Sequence, residues 1–268
     1  MNQVPHASGA TFDELMSVVR QLRDPIYGCP WDREQTHVSL IGDLIEEAYE
    51  VIEAIETGDI ADLIEELGDL LLQVTHHIGI AEENQGFSAQ DVFSGIVNKL
   101  IRRHPHVFSA NALTSPVEVL QQWERIKQEE RKHSESTNTP FSGLPRAMPA
   151  LVYAQKTQVR VSSLGLDWGT ILEPLGKIQE ELSKVMEANS VENQQTEIGD
   201  LLFSVVNAAR WMGIDAEAAL RSATNRFQER TEVVTTKARE EHIDLLLASS
   251  EEKARLWDIA KSLVSSED

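Results

Sequence analysis

The chain has 268 residues, a formal net charge of −20 and 41% hydrophobic residues. This acidity repels a phosphate backbone and excludes nucleic acid as a partner. The single cysteine, Cys29, excludes an internal disulfide framework and a cysteine-based zinc site. No apolar run is long enough to cross a bilayer, and the first residues lack the basic and apolar regions of a secretory signal. We therefore expect a cytoplasmic protein with no membrane partner.

Helical periodicity runs through nearly the whole chain and predicts an all-α protein. Thr11 and Glu14 have the spacing of a capping box at the start of the first helix. Further helices are predicted, in chain order, at about 38–57, 60–84, 88–103, 116–132, 149–163, 171–189, 191–213, 215–240 and 250–264. A segment rich in Ser, Thr, Pro and Gly predicts a linker, residues 133–148, between domains at 1–132 and 149–268.

The two halves repeat each other. Residues 64–80 align with 195–214, which matches Glu66 to Glu197 and Asp69 to Asp200. Two further pairs of segments align in the same order, 45–54 with 179–188 and 98–103 with 225–230. A tandem repeat of two helical-bundle domains is therefore predicted.

Paired carboxylates carry the chemistry of the repeat. Glu47 and Glu50 are three residues apart, as are Glu66 and Asp69, so each pair lies on one face of its helix. Two such helices packed antiparallel bring four carboxylates together, and their repulsion favours a site for divalent cations. Oxygen-only ligands indicate Mg²⁺, with Mn²⁺ as an alternative.

Gly68 and its counterpart Gly199 lie between these carboxylates, and we expect a neighbouring helix or a ligand to approach there closely. Solvated helix faces and a di-iron bundle are the competing interpretations. The di-iron site requires His three residues after Glu, and none of the paired carboxylates of the repeat is followed by His at that spacing. His76 and His77 are expected to form a surface or seam pair.

Several separate motifs resemble the MazG family of all-α nucleoside triphosphate pyrophosphohydrolases. They are EEAYE (46–50), EELGD (65–69), GCPWDREQTH (28–37), RRHPHVF (102–108) and LPRAMPALVYAQKTQVRVSSLGLDW (144–168). The resemblance implies Mg²⁺-dependent cleavage of a nucleoside triphosphate between its α and β phosphates. The products would be a nucleoside monophosphate and pyrophosphate.

The same resemblance implies roles for individual residues. The expected metal ligands are Glu47, Glu50, Glu66 and Asp69 in the first half, with Glu181, Glu197 and Asp200 in the second. Glu46 is a candidate for orienting or deprotonating water, or else an exposed helix charge. Lys99 with Arg103, and Arg226 with Arg230, are candidates for phosphate contact or else basic surface turns. Asn207 matches a position associated with nucleotide contact, and Trp257 either stacks on the base or belongs to the core.

Lys184 departs from the family pattern because it stands where the first half has Glu50. It either reaches a phosphate or pairs with Glu181. Two hypotheses follow: catalysis in the N-terminal half, which the ligand count favours, or catalysis in the C-terminal half with three carboxylates, helped by Glu180 or Glu187. In two-domain members of the family, cleavage is associated with the C-terminal half.

Two other functions stay open at this stage. One is a non-catalytic helical module that senses nucleotides or binds proteins, and the other is a pyrophosphatase restricted to one modified or histidine-pathway nucleotide. A homodimer is predicted, because each half has few helices with which to cover its carboxylate-bearing seam.

Overall fold

The computed structural model describes residues 11–109, 115–116, 118–119, 122–123, 125–126, 130 and 139–264. The chain divides into two compact units, Met1–Glu129 and Glu130–Asp268. Within the described ranges every regular element is a helix, which confirms the all-α prediction. Much of the predicted helix at 116–132 and part of the predicted linker at 133–148 lie outside the described residues.

Six helices are described in the N-terminal unit and five in the C-terminal unit. The former are α1 Phe12–Leu22, α2 Pro30–Glu34, α3 Ile41–Thr57, α4 Ile60–Glu83, α5 Ala89–Arg103 and α6 Pro105–Phe108. The latter are α7 Ala150–Ser162, α8 Leu172–Glu187, α9 Val191–Trp211, α10 Ala216–Glu240 and α11 Ser250–Leu263. In the part of the chain that is described, no helix is both long and apolar enough to span a bilayer.

The predicted helices within the described ranges are confirmed to within a few residues of their ends. The Thr11 hydroxyl accepts a hydrogen bond from the Glu14 amide, and the Glu14 carboxylate accepts one from the Thr11 amide, so the predicted capping box forms. Helices α2 and α6 were not predicted. They have five and four residues, too few to produce a helical period in the sequence.

A tight turn joins the two carboxylate-bearing helices of the N-terminal unit. Gly58 ends α3 with a φ of 74°, a left-handed conformation that glycine adopts without strain. The next residue, Asp59, caps α4 by accepting hydrogen bonds from the amides of Ala61 and Asp62. Helix α3 therefore folds back on α4, and Ser190 caps α9 at the corresponding turn between α8 and α9.

Each unit buries a small core of its own. In the N-terminal unit, α1 packs on α4 and buries Met16, Val19 and Ile78. In the C-terminal unit, α10 packs on α11 around Leu256 and Ala260, both fully buried. The apolar stripe around Leu67 is different, since Ile64, Leu67 and Leu71 are 69%, 50% and 41% exposed. The described residues of the N-terminal unit leave this face of α4 largely open.

Candidate functional site

Three carboxylates meet where α3 faces α4. One oxygen from each of Glu47, Glu66 and Asp69 lies within 4.8 Å of the others, and each side chain is half-buried. The amide of the buried Gln73, one turn beyond Asp69 on α4, hydrogen-bonds the Glu47 carboxylate. Glu50, the fourth ligand expected from the sequence, is exposed and lies outside this three-residue group.

Electrostatic repulsion in this N-terminal cluster is uncompensated. Burial, followed by repulsion from Asp69 and Glu50, raises the pKa of Glu47 above its ordinary value. Burial, followed by repulsion from Glu50 and Asp69, likewise raises the pKa of Glu66. The cluster therefore holds negative charge that the neighbouring side chains do not neutralise.

The C-terminal unit repeats the cluster with a different balance of charge. Glu181 on α8 and Glu197 and Asp200 on α9 again bring three carboxylate oxygens within 4.8 Å of one another. Two ammonium groups reach Glu181 Oε1, Lys177 Nζ at 2.8 Å and Lys184 Nζ at 3.1 Å. The hydrogen bond from Lys177 lowers the pKa of Glu181, with a smaller contribution from Lys184, and outweighs the opposing effect of burial.

A cavity of about 470 Å³ lies in the C-terminal unit, and its wall includes Phe203, one turn beyond Asp200 on α9. Its wall combines aromatic side chains with polar groups: Thr157, Gln158, Val161, Gly165, Leu166, Asp167, Trp168, Phe203, Asn207 and Arg210. The Gln158 side chain donates from Nε2 to the Phe203 carbonyl at 2.8 Å, while its buried Oε1 has no hydrogen-bond partner. The buried Thr157 hydroxyl also lacks a partner.

An ion pair between Arg210 and Asp167 forms part of the cavity wall. Arg210 donates to both Asp167 oxygens, at 2.6 and 3.0 Å, and to Asn207 Oδ1 at 2.9 Å. The Arg210 hydrogen bonds hold the pKa of Asp167 below its usual value. Trp211 also donates from Nε1 to Asp167 at 3.0 Å. These contacts fix the orientation of the Asn207 carboxamide in the wall.

In the N-terminal unit, His76 stands at the position that Asn207 occupies in the repeat. Of the surface and seam locations expected for His76, the surface location is wrong. Its side chain is buried and its Nε2 lies 2.9 Å from Asp32 Oδ1. Asp32 belongs to the short helix α2, and its carbonyl accepts a hydrogen bond from the buried Arg23. The residue that corresponds to Asn207 is thus buried in a polar contact within the N-terminal unit.

The comparisons with known proteins agree with this duplicated arrangement. The model of the MazG nucleotide pyrophosphohydrolase domain matches residues 35–108 and 176–235, which contain the two carboxylate clusters. The chain belongs to the MazG family. It is 43% identical over 223 residues to the nucleoside triphosphate pyrophosphohydrolase of Escherichia coli K12, covering 81% of this chain and 84% of that protein.

Two other MazG relatives extend over almost the whole chain. The nucleoside triphosphate pyrophosphohydrolase/pyrophosphatase MazG of Thermotoga maritima is 41% identical over 254 residues, which is 95% of this chain and 97% of that protein. The uncharacterized protein YabN of Bacillus subtilis is also 41% identical over 254 residues, covering 93% of this chain but 51% of YabN.

Both MazG clusters have the chemistry of a divalent-cation site. Their donors are carboxylate oxygens, which hard cations such as Mg²⁺ prefer. Glu181 Oε2 is buried without a hydrogen-bond partner, and so is Gln73 Oε1 beside the N-terminal cluster. Buried oxygens in native proteins normally have a partner. A divalent cation fits the unsatisfied oxygen of Glu181 and the uncompensated charge around Glu47.

The basic and aromatic residues expected at the site have other contacts within the described residues. Arg103 lies over the ring of Trp123, 5.8 Å from its centroid, and Lys99 is exposed on the same helix α5. Arg226 donates to Ser222 Oγ at 2.6 Å, and Arg230 donates to the Val264 carbonyl at 3.2 Å.

Two further expectations from the sequence can be compared with the structure. Trp257 is half-buried on α11, with its ring centroid 5.4 Å from that of Phe227. A Cβ added at Gly68 or Gly199 would meet no atom of a described residue within 4 Å. Among the described residues of each unit, the close approach by a neighbouring helix that was expected there does not occur.

Most residues of the cavity wall were not predicted from the sequence. Trp168 was part of a quoted motif without a role, and Gln158, Phe203 and Arg210 were not singled out. One signal was available, because Asp200, Phe203, Asn207 and Arg210 are spaced by three, four and three residues. That spacing puts them on one helical face with Asp200 of the carboxylate cluster.

The raised pKa of Glu47 generates a test of the N-terminal cluster as a cation site. We expect Glu47→Gln to raise the melting temperature in EDTA at pH 7.5, because it removes a carboxylate whose ionisation is disfavoured in the fold. A carboxyl group whose pKa is higher in the folded state than in the unfolded state destabilises the fold at pH values above its folded pKa. This destabilisation is lost as the pH falls through the folded pKa. The difference between variant and wild type should therefore shrink as the pH falls towards 4.5.

Saturating Mg²⁺ should reverse the order of stability. At 100 times its dissociation constant a bound cation stabilises a fold by about 2.7 kcal/mol, and Glu47→Gln should lose that gain at the N-terminal cluster. Glu53→Gln, an exposed carboxylate on the same helix α3, is the control and should follow wild type in both buffers. A Glu47→Gln variant less stable than wild type in EDTA would contradict the interpretation.

Proposed function

We propose that this chain hydrolyses nucleoside triphosphates to nucleoside monophosphates and pyrophosphate, and that its C-terminal unit carries the reaction. Membership of the MazG family and the names of the relatives support the activity. One observation carries the choice of unit: Phe203, Asn207 and Arg210 of the cavity wall lie on the same helix α9 as Glu197 and Asp200 of the C-terminal cluster. Ligand count alone favours the other unit, but there the matching residue, His76, is buried against Asp32.

The geometry of α9 suits an extended nucleotide. At 1.5 Å of rise per residue, Phe203, Asn207 and Arg210 lie about 5, 10 and 15 Å along the helix from Asp200. Phosphates bound at the carboxylates would therefore leave the nucleoside one to three turns further along the same face. A cavity of about 470 Å³ is within the range of small-molecule sites.

The cavity wall has the groups that a nucleoside requires. Trp168 and Phe203 offer aromatic surface against which a base can stack. The free Gln158 Oε1 accepts a hydrogen bond from a base N–H, and the free Thr157 hydroxyl can donate or accept one. The Asn207 carboxamide, fixed by Arg210, adds a second directional group.

Mg²⁺ is the proposed cofactor, with Mn²⁺ as the alternative, held by Glu181, Glu197 and Asp200. When bound, it supplies charge neutralisation for the triphosphate and polarises water for attack at phosphorus. The protein has a net charge of −20, so a triphosphate would otherwise be repelled. Glu47, Glu66 and Asp69 are proposed to hold a cation in the N-terminal unit, with Glu50 as a further ligand on cation binding.

In the proposed reaction the oxygen of water bonds to the α-phosphorus, and the bond from that phosphorus to the α–β bridging oxygen breaks. Pyrophosphate leaves with the bridging oxygen, and the proton of the water passes to solvent. Glu180 is a poor proton acceptor, because hydrogen bonds from Lys177 and Lys184 lower its pKa to about 2. Its N-terminal counterpart, Glu46, is proposed to orient water if that unit turns over substrate.

The remaining residues from the sequence analysis keep proposed roles in substrate binding. Arg226 and Arg230 lie on α10, and we propose that they turn towards the phosphates when substrate binds. Trp257 is proposed to stack on the base, and Lys99 and Arg103 are the N-terminal counterparts of the arginine pair. Arg226, Arg230 and Arg103 contact other groups of the protein.

The proposed assembly is a homodimer of chains with domains at 1–132 and 149–268. Exposed apolar side chains on α4, including Ile64, Leu67 and Leu71, support it, since an apolar face of this kind is usually covered by a partner. The proposed location is the cytoplasm, and the net charge supports the absence of a nucleic-acid partner.

Matched variants of the two clusters test the assignment to the C-terminal unit. We expect Glu197→Gln with Asp200→Asn to lower pyrophosphate release at least about 100-fold, because bound metal contributes several kcal/mol to the transition state. Glu66→Gln with Asp69→Asn is the matched control and should keep more than about half of the activity. The measurement is pyrophosphate release from each common triphosphate with Mg²⁺.

The other outcomes of that assay are equally informative. Activity lost only in the N-terminal variant would overturn the choice of unit and restore the ligand-count argument. Orthophosphate as the product would refute cleavage between the α and β phosphates. Absence of pyrophosphate with every triphosphate would favour the nucleotide-sensing module, and turnover of a single modified nucleotide would favour the restricted pyrophosphatase.

Substitution of Asn207 tests the cavity as the nucleoside site. Asn207→His introduces the residue of the N-terminal unit, and its bulk should raise KM about tenfold or more, equivalent to about 1.4 kcal/mol. Asn98→His, an exposed position on α5, is the control and should leave KM unchanged. An unchanged KM for Asn207→His would show that the nucleoside binds elsewhere.

The assembly can be tested by light scattering coupled to size exclusion. We expect wild type to elute at twice the chain mass of 30.0 kDa. Ile64→Glu with Leu71→Glu should shift it to the monomer, because charge on that face cannot be buried in an interface. Leu247→Glu, at another exposed leucine, is the control and should remain dimeric. A monomeric wild type would contradict the proposal.

A further inference from the structure

The two clusters match at four positions, and at three of them both units have an acidic residue. At the fourth, Lys184 stands in place of a glutamate. Counting from the repeat, Glu47, Glu50, Glu66 and Asp69 correspond to Glu181, Lys184, Glu197 and Asp200. Four carboxylates leave four negative charges in the N-terminal unit. Three carboxylates and one ammonium leave two, and Lys177, whose Nζ lies 2.8 Å from Glu181 Oε1, lowers the negative charge of the C-terminal cluster further.

The contacts of Lys184 differ from those of an ordinary surface ion pair. Its Nζ lies 2.8 Å from Glu180 Oε1 and 3.1 Å from Glu181 Oε1. Glu181 is 2% exposed and belongs to the carboxylate cluster. By contrast, the pair of Lys237 and Glu240 on α10 joins two largely exposed side chains, an arrangement that contributes little to stability.

Two ammonium groups leave Glu181 with one available oxygen. Lys177 and Lys184 both bind Oε1, whereas Oε2 is buried and has no hydrogen-bond partner. A carboxylate held in this way can offer a cation only one oxygen without breaking its ion pairs. In the N-terminal unit Asp43 and Glu50 stand at the positions of the two lysines, so Glu47 has no such restriction.

We propose that the C-terminal cluster binds one divalent cation fewer than the N-terminal cluster, and that the Lys184 ammonium takes the place of the missing ion. The inference rests on the proposed function, since it concerns the cations that the cluster would hold for a triphosphate. Lys184 acts as a positioning residue: it supplies fixed positive charge and holds Glu181 as a ligand through one oxygen. Its side chain is 42% exposed, so the ammonium remains accessible at the edge of the cluster.

Counting bound Mn²⁺ tests this without any reaction. The full chain is titrated with Mn²⁺ alone, and the free ion is followed by electron paramagnetic resonance. With the N-terminal cluster removed by Glu66→Gln and Asp69→Asn, we expect one Mn²⁺ per chain. With the C-terminal cluster removed by Glu197→Gln and Asp200→Asn, we expect two.

Lys184→Glu is the decisive variant. Added to the chain that lacks the N-terminal cluster, it should raise the count from one Mn²⁺ to two, because it restores the fourth carboxylate. Lys237→Glu in the same background is the matched control and should leave the count at one. A count that stays at one in Lys184→Glu, or that is already two with Lys184 present, would overturn the proposal.

A neutral variant covers the possibility that Lys184→Glu does not fold, which circular dichroism would reveal. Lys184→Gln should bind its single Mn²⁺ more tightly, on the order of tenfold, because a nearby positive charge is removed. An unchanged dissociation constant would overturn the proposal. Since the counts require no turnover, they separate this inference from the proposed function, which depends on the pyrophosphate assay.

Discussion

Repulsion among carboxylates at the contact of two helices is the constraint on which the rest of this structure depends. Each unit brings three acidic oxygens within 4.8 Å, a spacing that isolated carboxylates do not favour in water. The N-terminal unit leaves the charge uncompensated, and the pKa values of Glu47 and Glu66 rise. The C-terminal unit instead brings Lys177 and Lys184 onto Glu181. The same backbone arrangement thus supports two different charge states.

Helix α9 joins the cluster to the cavity in the C-terminal unit. Its successive turns place Asp200, Phe203 and Asn207 on one face. Under the proposed function, one helix would therefore contact both the phosphates and the nucleoside of a substrate. A site built on one helix needs little reorganisation to keep its two ends in register. Changes in the packing of α9 should therefore affect both ends together.

The two units of this MazG protein have diverged in complementary ways. The N-terminal unit keeps all four acidic positions, yet its His76, which corresponds to Asn207 of the cavity wall, is buried against Asp32. The C-terminal unit has Lys184 in place of the fourth carboxylate, but Asn207 borders a cavity there. The number of acidic ligands and the position of the cavity therefore favour different units. The proposal for the C-terminal unit gives priority to the cavity, because Asn207 and Phe203 border it on the helix that carries Asp200.

The sequence by itself determined the long helices, the cap at Thr11 and the pairs of carboxylates, because the helical period and the spacing of Glu66 and Asp69 are local properties of the chain. It also determined the family, through motifs that survive in order. Tertiary packing decided what no local pattern contains: that His76 is buried against Asp32, 44 residues away, and that Gln158 and Phe203 border a cavity. Burial and free volume depend on how distant segments pack, so they appear only when the helices are assembled.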